Sequence, residues 1–317
     1  MKMKYFYSFM LALASLAFVA CDSDDNDGES KIPDGALPST EMTLGNLGEQ
    51  AFEDDVVYLI NRNGTSPFYS LELLADGHYL LCTSQRSAVS YERVSTRATG
   101  DGTTQLGGDY EYGTYQKSSA GGNVYTLSNG CQIDITGVIG GEQMTYTNSD
   151  GSHSVVYVKA EKPQQNVVGK SLCRTWNCNS FEAWMYFNGA YMAHGKQEMV
   201  NGSVNTSFKA APGSGLESDD MFDEEDGYCY RVIFSPAGTY VCFYTNGEAE
   251  VSYWRWVNFN DGTLYYFDPT DDDLDDKDDG YVTVRFAGKQ MRVYEDFSYD
   301  EDGYSFREVA VGTFTAL

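Results

Sequence analysis

Residues 281–293, Tyr-Val-Thr-Val-Arg-Phe-Ala-Gly-Lys-Gln-Met-Arg-Val, alternate apolar and polar side chains on both sides of Gly288-Lys289. Alternation with a period of two, interrupted by a two-residue turn, marks an antiparallel hairpin; a helix of the same residues would scatter its apolar groups around the axis. Counting outward from the turn sets Phe286 against Met291 and Val284 against Val293, with Val282 on the same apolar face. The same register opposes Arg285 and Arg292, a like-charge pair that calls for acidic groups nearby.

Most of the chain from about residue 45 repeats this design. In Val251–Asp268, Asp261-Gly262 suits a type I′ turn, which sets Asn260 against Thr263, Asn258 against Tyr265, Trp256 against Phe267 and Arg255 against Asp268. One face then carries Trp254, Trp256, Tyr265 and Phe267, and the other Val257, Phe259, Leu264 and Tyr266. Phe234–Tyr244, turning at Ser235–Gly238, completes a meander and sets Cys242 against Arg231. Upstream, strands are expected at Val56–Asn61, Phe68–Leu74, Tyr79–Thr83, Tyr110–Gln116, Asn123–Ser128, Cys131–Thr136, Met144–Thr147 and Val155–Lys159, with Gly100–Gly108 as a loop. Phe181–Met192 is the best helix candidate, and its aromatics fit a strand equally well. The rhythm breaks at Lys162–Asn166 and restarts at Val167, dividing the body into 45–162 and 166–317, each of ordinary domain size.

Composition supports strands. The apolar content is weighted toward 25 Tyr and 17 Phe, which suit a half-buried pleated surface, and 32 Gly against 7 Pro suits many tight turns. Lys+Arg 21 against Asp+Glu 47 gives a formal charge of −26, a surface that repels nucleic acid and anionic head groups. Neutral ligands, cationic ligands, divalent cations or plain solubility remain.

Residues 1–20 follow the plan of a signal peptide: Lys2 and Lys4, an apolar run from Tyr5 through Phe18, then small Ala20. Phe18-Val19-Ala20-Cys21 resembles a lipobox, which makes Cys21 the expected site of lipid attachment. Asp22-Ser23-Asp24-Asp25-Asn26-Asp27 resembles the surface-export tag of lipoproteins in the Bacteroidota. Residues 21–44, rich in Asp, Ser, Gly and Pro and without periodicity, are expected to form a flexible tether. The expected location is therefore the outer membrane, with the protein lipid-anchored and facing outward.

The body resembles the lipocalin-like domains of such lipoproteins. Val167-Val168-Gly169-Lys170 leading to Arg174-Thr175-Trp176 is similar to that family's opening strand, with Gly169 and Trp176 spaced more widely than its Gly-x-Trp element. Ile233-Phe234-Ser235-Pro236-Ala237-Gly238-Thr239-Tyr240 resembles its recurrent turn, and Leu74–Tyr79, Gly113-Thr114-Tyr115 and Tyr125–Gly130 are similar in style. The resemblance implies an all-β chain whose antiparallel meanders form two lipocalin-like barrels or half-barrels, with any ligand in a barrel mouth. It implies no activity.

The candidate chemistry is sparse. His78, His153 and His194 fall in separate segments without ligand spacing, and no nucleophile elbow, Walker loop or dinucleotide fingerprint occurs. A non-catalytic protein without cofactor or metal is expected. Asp271–Gly280 looks like a calcium loop, but Lys277 occupies a ligand position; it and the acidic stretches 219–227 and 300–303 read as cation-holding or merely solvated turns. Cys82, Cys131, Cys173, Cys178, Cys229 and Cys242 are an even set that suits disulfides in an exported chain or buried free thiols in an anaerobe. Trp254, Trp256, Tyr265 and Phe267 are the candidate ligand face, for stacking on sugars or lining an apolar cavity, and equally a candidate core. Two functions compete: a binding module for a neutral small molecule, glycan or lipid, and an interaction protein of the envelope. A polysaccharide-acting enzyme would need two facing acids in a cleft.

Overall fold

A computed structural model describes residues 33, 35–38, 42, 57–60, 68–83, 93–136, 143–161, 171–222, 227–267, 281–301 and 303–317. The signal peptide, Cys21, the export-tag acids, the 162–166 boundary and the acid run 271–279 lie outside the described residues. The described chain is all-β. Its first half holds β1 (Val57–Ile60), β2 (Ser70–Leu73), β3 (His78–Cys82), β4 (Val94–Ala98), β5 (Thr104–Leu106), β6 (Tyr110–Lys117), β7 (Val124–Leu127), β8 (Gln132–Thr136), β9 (Gln143–Thr147) and β10 (His153–Glu161). The second holds β11 (Thr175–Phe187), β12 (Ala190–Val200), β13 (Ser203–Ala210), β14 (Cys229–Phe234), β15 (Thr239–Tyr244), β16 (Glu248–Asn258), β17 (Thr263–Phe267), β18 (Tyr281–Ala287), β19 (Gln290–Glu301) and β20 (Tyr304–Ala316).

The second half closes into an eight-stranded antiparallel barrel. The start of β11 pairs with β14, the chain meanders from β14 through β20, and β20 returns along β11 from Phe187↔Phe306 to Trp176↔Ala316. The far part of β11 also pairs with β12, which carries β13 outside the ring. Closure removes the exposed edges that such long strands would otherwise present. Phe181–Met192, the best helix candidate, is the β11–β12 hairpin.

The resemblance implies two barrels or half-barrels; the described residues form one eight-stranded barrel. The first half forms two small sheets that share strands. β6 pairs with β3 as far as Thr114 and with β7 from Tyr115, and β10 pairs with β9 as far as Tyr157 and with β1 from Val158. Strands that change sheet in this way turn the corners of a sandwich. Gly113 stands where β6 changes sheet, and a Cβ there would lie 2.8 Å from the Tyr79 ring and 2.5 Å from Ser128 Oγ. The core between the sheets is Phe68, Leu71, Tyr79, Tyr125, Ile133 and Met144. Gly100–Gly108, expected as a loop, contains β5, and β4 was not anticipated; they pair with β6 and β16 and bury Leu106 with part of Val94.

The halves share a further core. Leu74, Leu80, Tyr110 and Tyr112 pack on Ile233, Val241, Phe243 and Val251 on the outside of the barrel. Polar bonds cross beside it: Thr239 Oγ1 donates to buried Glu72 at 2.8 Å, and the Thr175 amide donates to Asp76 at 2.7 Å. Burial raises the Asp76 pKa, but His78 beside it and then hydrogen bonds from Thr175 outweigh this and lower it. Elsewhere on the barrel exterior, Ala36 is buried among Trp184, Tyr186, Val309 and Val311, and Tyr294 Oη donates to Met42 Sδ at 3.6 Å. Part of the segment expected to be a flexible tether therefore lies on the body.

Candidate functional site

Alternation along the barrel strands decides which side chains point inward. On β20 the inward row is Phe306, Glu308, Ala310, Gly312 and Phe314; directly across on β19 stand Tyr299, Phe297, Glu295, Val293 and Met291. The predicted β18–β19 register is the observed one, including Val284↔Val293, Arg285↔Arg292 and Phe286↔Met291. Arg285 donates to the backbone carbonyls of Asp261 and Val284, so carbonyl oxygens ease the like-charge pair where carboxylates were expected.

One end of the barrel is filled. Trp176 is fully buried, donates from Nε1 to the Leu172 carbonyl at 2.8 Å and packs against Phe286 at 6.0 Å between ring centroids. Trp254 belongs to this core. Its Nε1 donates to the Ser235 carbonyl at 3.0 Å, and Phe234 and Trp256 meet its ring edge-on. Trp256 points inward but is half-buried.

The predicted aromatic face does not assemble. Trp254 pairs with Tyr266, Trp256 with Leu264, and Tyr265 with Arg255; Phe267 pairs with Tyr253, three residues from its predicted partner. Tyr265 thus lies on the opposite face from Trp254 and Trp256, beneath the Arg255 guanidinium and beside Tyr281. The cause is the turn. Asp261-Gly262 does not make a two-residue turn; a four-residue loop joins Asn258 to Thr263, with a bulge between Trp256 and Asn258. Asp261 accepts hydrogen bonds from Thr263 N, Thr263 Oγ1 and Asn258 Nδ2 at 3.0, 2.6 and 2.7 Å, which fixes the longer loop.

The observed register brings a different group together beside that core. Tyr266 stacks on Tyr240 at 4.6 Å and feels the Glu295 carboxylate. Glu308 lies diagonally across from Glu295 on the same inward row. Tyr266, Cys229, Val293, Glu295 and Glu308 all point into the barrel yet remain half-buried. Burial, and then the Glu295 carboxylate, push the Glu308 carboxyl up to about 8, so it holds its proton at neutral pH. A carboxylic acid beside a carboxylate, flanked by tyrosine rings, can donate to one ligand oxygen and accept from another hydroxyl.

Three thiols lie nearby. Cys178 accepts a hydrogen bond from Tyr228 Oη at 3.2 Å, and burial pushes its thiol up to about 12. Cys229 is raised well above the ordinary thiol range by its hydrogen bond to Cys242 and by burial. Cys242 faces Val232, with Arg231 against Phe243, a shift of one residue from the predicted register. All six described cysteines are free thiols.

The histidines remain apart. His78 stacks on Tyr112 beside Asp76, His194 stacks on Trp184 and bonds Glu182 at 2.8 Å, and His153 opens β10. Among the described residues, no group of three His, Cys, Asp or Glu side chains is arranged to hold a metal ion. Glu295, Glu308 and Tyr266 were missed as candidates. A signal did exist: stepping back by two from the core residue Phe314 reaches Glu308, an acid in an otherwise apolar row. No protein-family model matches the chain, and no curated protein matches it.

Proposed function

We propose that the chain is a lipid-anchored, outward-facing lipoprotein whose lipocalin-like barrel binds a neutral, hydroxyl-rich ligand of the glycan class. The observation that carries this reading is the inward-pointing, half-buried set Tyr266, Glu295 and Glu308 inside a closed barrel. Aromatic faces stack on sugar rings, and a carboxyl pair matches vicinal hydroxyls without needing a charged ligand. The lipid anchor is supported by Lys2, Lys4, the apolar run and Cys21 in sequence order.

Calorimetric titration of the whole chain with neutral oligosaccharides tests the site. Binding that Glu308→Gln or Tyr266→Ala weakens at least ~10-fold supports it; unchanged affinity in both variants refutes it. Cys21→Ala should release the chain from membranes, and replacing the acids of 22–27 should remove it from protease attack on intact cells.

The same pair favours a second reading, an enzyme that cleaves glycosidic bonds. One carboxyl that keeps its proton at neutral pH beside a second carboxyl is the arrangement from which such hydrolysis draws its acid. Release of reducing ends on incubation with a polysaccharide, lost in both Glu295→Gln and Glu308→Gln, would decide for the enzyme.

A further inference from the structure

The filled end of the barrel carries exposed groups that its interior does not explain. Val257 and Phe259, in and just after the bulge of β16, are 50% and 51% exposed, and the C-terminal Leu317 is 53% exposed. Hydrogen bonds place them at one end: Val284 N donates to the Gly262 carbonyl, Ala316 N to the Lys289 carbonyl and Leu317 N to the Thr175 carbonyl. Arg255 and Lys289 are exposed at the same end, and half-buried Arg285 joins them. Asp261 is the acid among these turns, and Asn258 and Thr263 already occupy its carboxylate. In a chain with only 21 Lys and Arg against 47 acids, three cations around one apolar tip are a marked local reversal of sign. Toward the opposite end the exposed charges among the described residues include Glu217, Asp219, Asp220 and Asp300, against Lys209.

We infer that this end of the barrel rests on an anionic lipid surface, the phosphate-bearing head groups of the membrane that holds the Cys21 anchor; the inference rests on that anchor. Apolar side chains beside cations suit the head-group region, where Val257 and Phe259 reach acyl chains while Arg255, Arg285 and Lys289 meet phosphate. The acidic remainder of the body then points away, and its net repulsion from the membrane orients the molecule instead of expelling it. The reach is sufficient. About fifteen residues separate Cys21 from Ala36, enough for about 50 Å of chain. Val311, beside Ala36, is only about 20 Å of strand from Leu317.

The test is amide hydrogen exchange on the lipidated full chain in vesicles of phosphatidylethanolamine with one part in five phosphatidylglycerol, compared with the soluble Cys21→Ala chain. Exchange across 257–263 and 287–290 should slow about tenfold on the vesicles, while β13 keeps its solution rate. A doubly substituted chain, F259S/K289E, should stay anchored and lose that protection; both side chains are exposed, so the fold is unaffected. An anchored chain whose tip exchanges at the solution rate overturns the inference and leaves the anchor standing. A wild-type chain that never associates with membranes overturns both. Protection that appears only in native envelopes, and not on pure lipid, assigns this end to a protein partner and overturns the lipid assignment.

Discussion

Glu308 keeps its proton because it has been taken partly out of water and set beside another carboxyl. This has a sign. The folded carboxyl titrates near 8 and the unfolded one near the ordinary value of 4.5, so between those limits the unfolded chain gives up a proton that the folded chain retains. Stability must therefore fall as pH rises from about 4.5 to about 8 and level off above. Glu308→Gln removes that dependence. Measured by thermal melting, the variant should match the wild type near pH 4.5 and exceed it by roughly 2–5 °C at pH 8.5, a smaller gain than a fully buried group would give because Glu308 keeps some solvent contact. A wild-type advantage at pH 8.5 would contradict the assigned environment.

The hairpins show what local chemistry determines and what it leaves open. At β18–β19 the turn is short, and its flanks alternate strictly, so every cross-strand pair follows from counting. At β16–β17 the dipeptide Asp261-Gly262 suits two turns, and three side-chain hydrogen bonds to Asp261 choose the longer one. That choice, with the bulge at Val257, separates Tyr265 from Trp254 and Trp256, and with it the expected ligand face dissolves. The site that does form depends on β19 and β20 meeting through a register that Phe314 and Met291 set from the core outward. The acids were visible in the sequence; their shared inward face was not, because it follows from which strands become neighbours. Asp261→Ala should cost about 1–2 kcal/mol in urea unfolding, by loss of those three hydrogen bonds. It should also broaden the Trp256 and Leu264 resonances if the hairpin then samples the two-residue turn. A silent substitution would show that the bulge alone sets the register.

At the scale of the molecule, the boundary read at 162–166 separates two runs of strands that nonetheless share buried surface. Ile233, Val241, Phe243 and Val251 are covered only because the first half lies on them. The barrel half expressed alone, residues 166–317, should therefore self-associate in size-exclusion chromatography, and Phe243→Ala in the whole chain should destabilise both halves in one transition by about 3 kcal/mol. A monodisperse isolated half would show that the shared surface is dispensable. The closing seam has a further effect on when the protein can come into being. β20, the last strand of the ring, zips along β11 from Phe187 to Trp176. The ring cannot close until β20, its last strand in chain order, has left the ribosome, and loss of β20 would leave β11 and β19 as two bare edges facing each other.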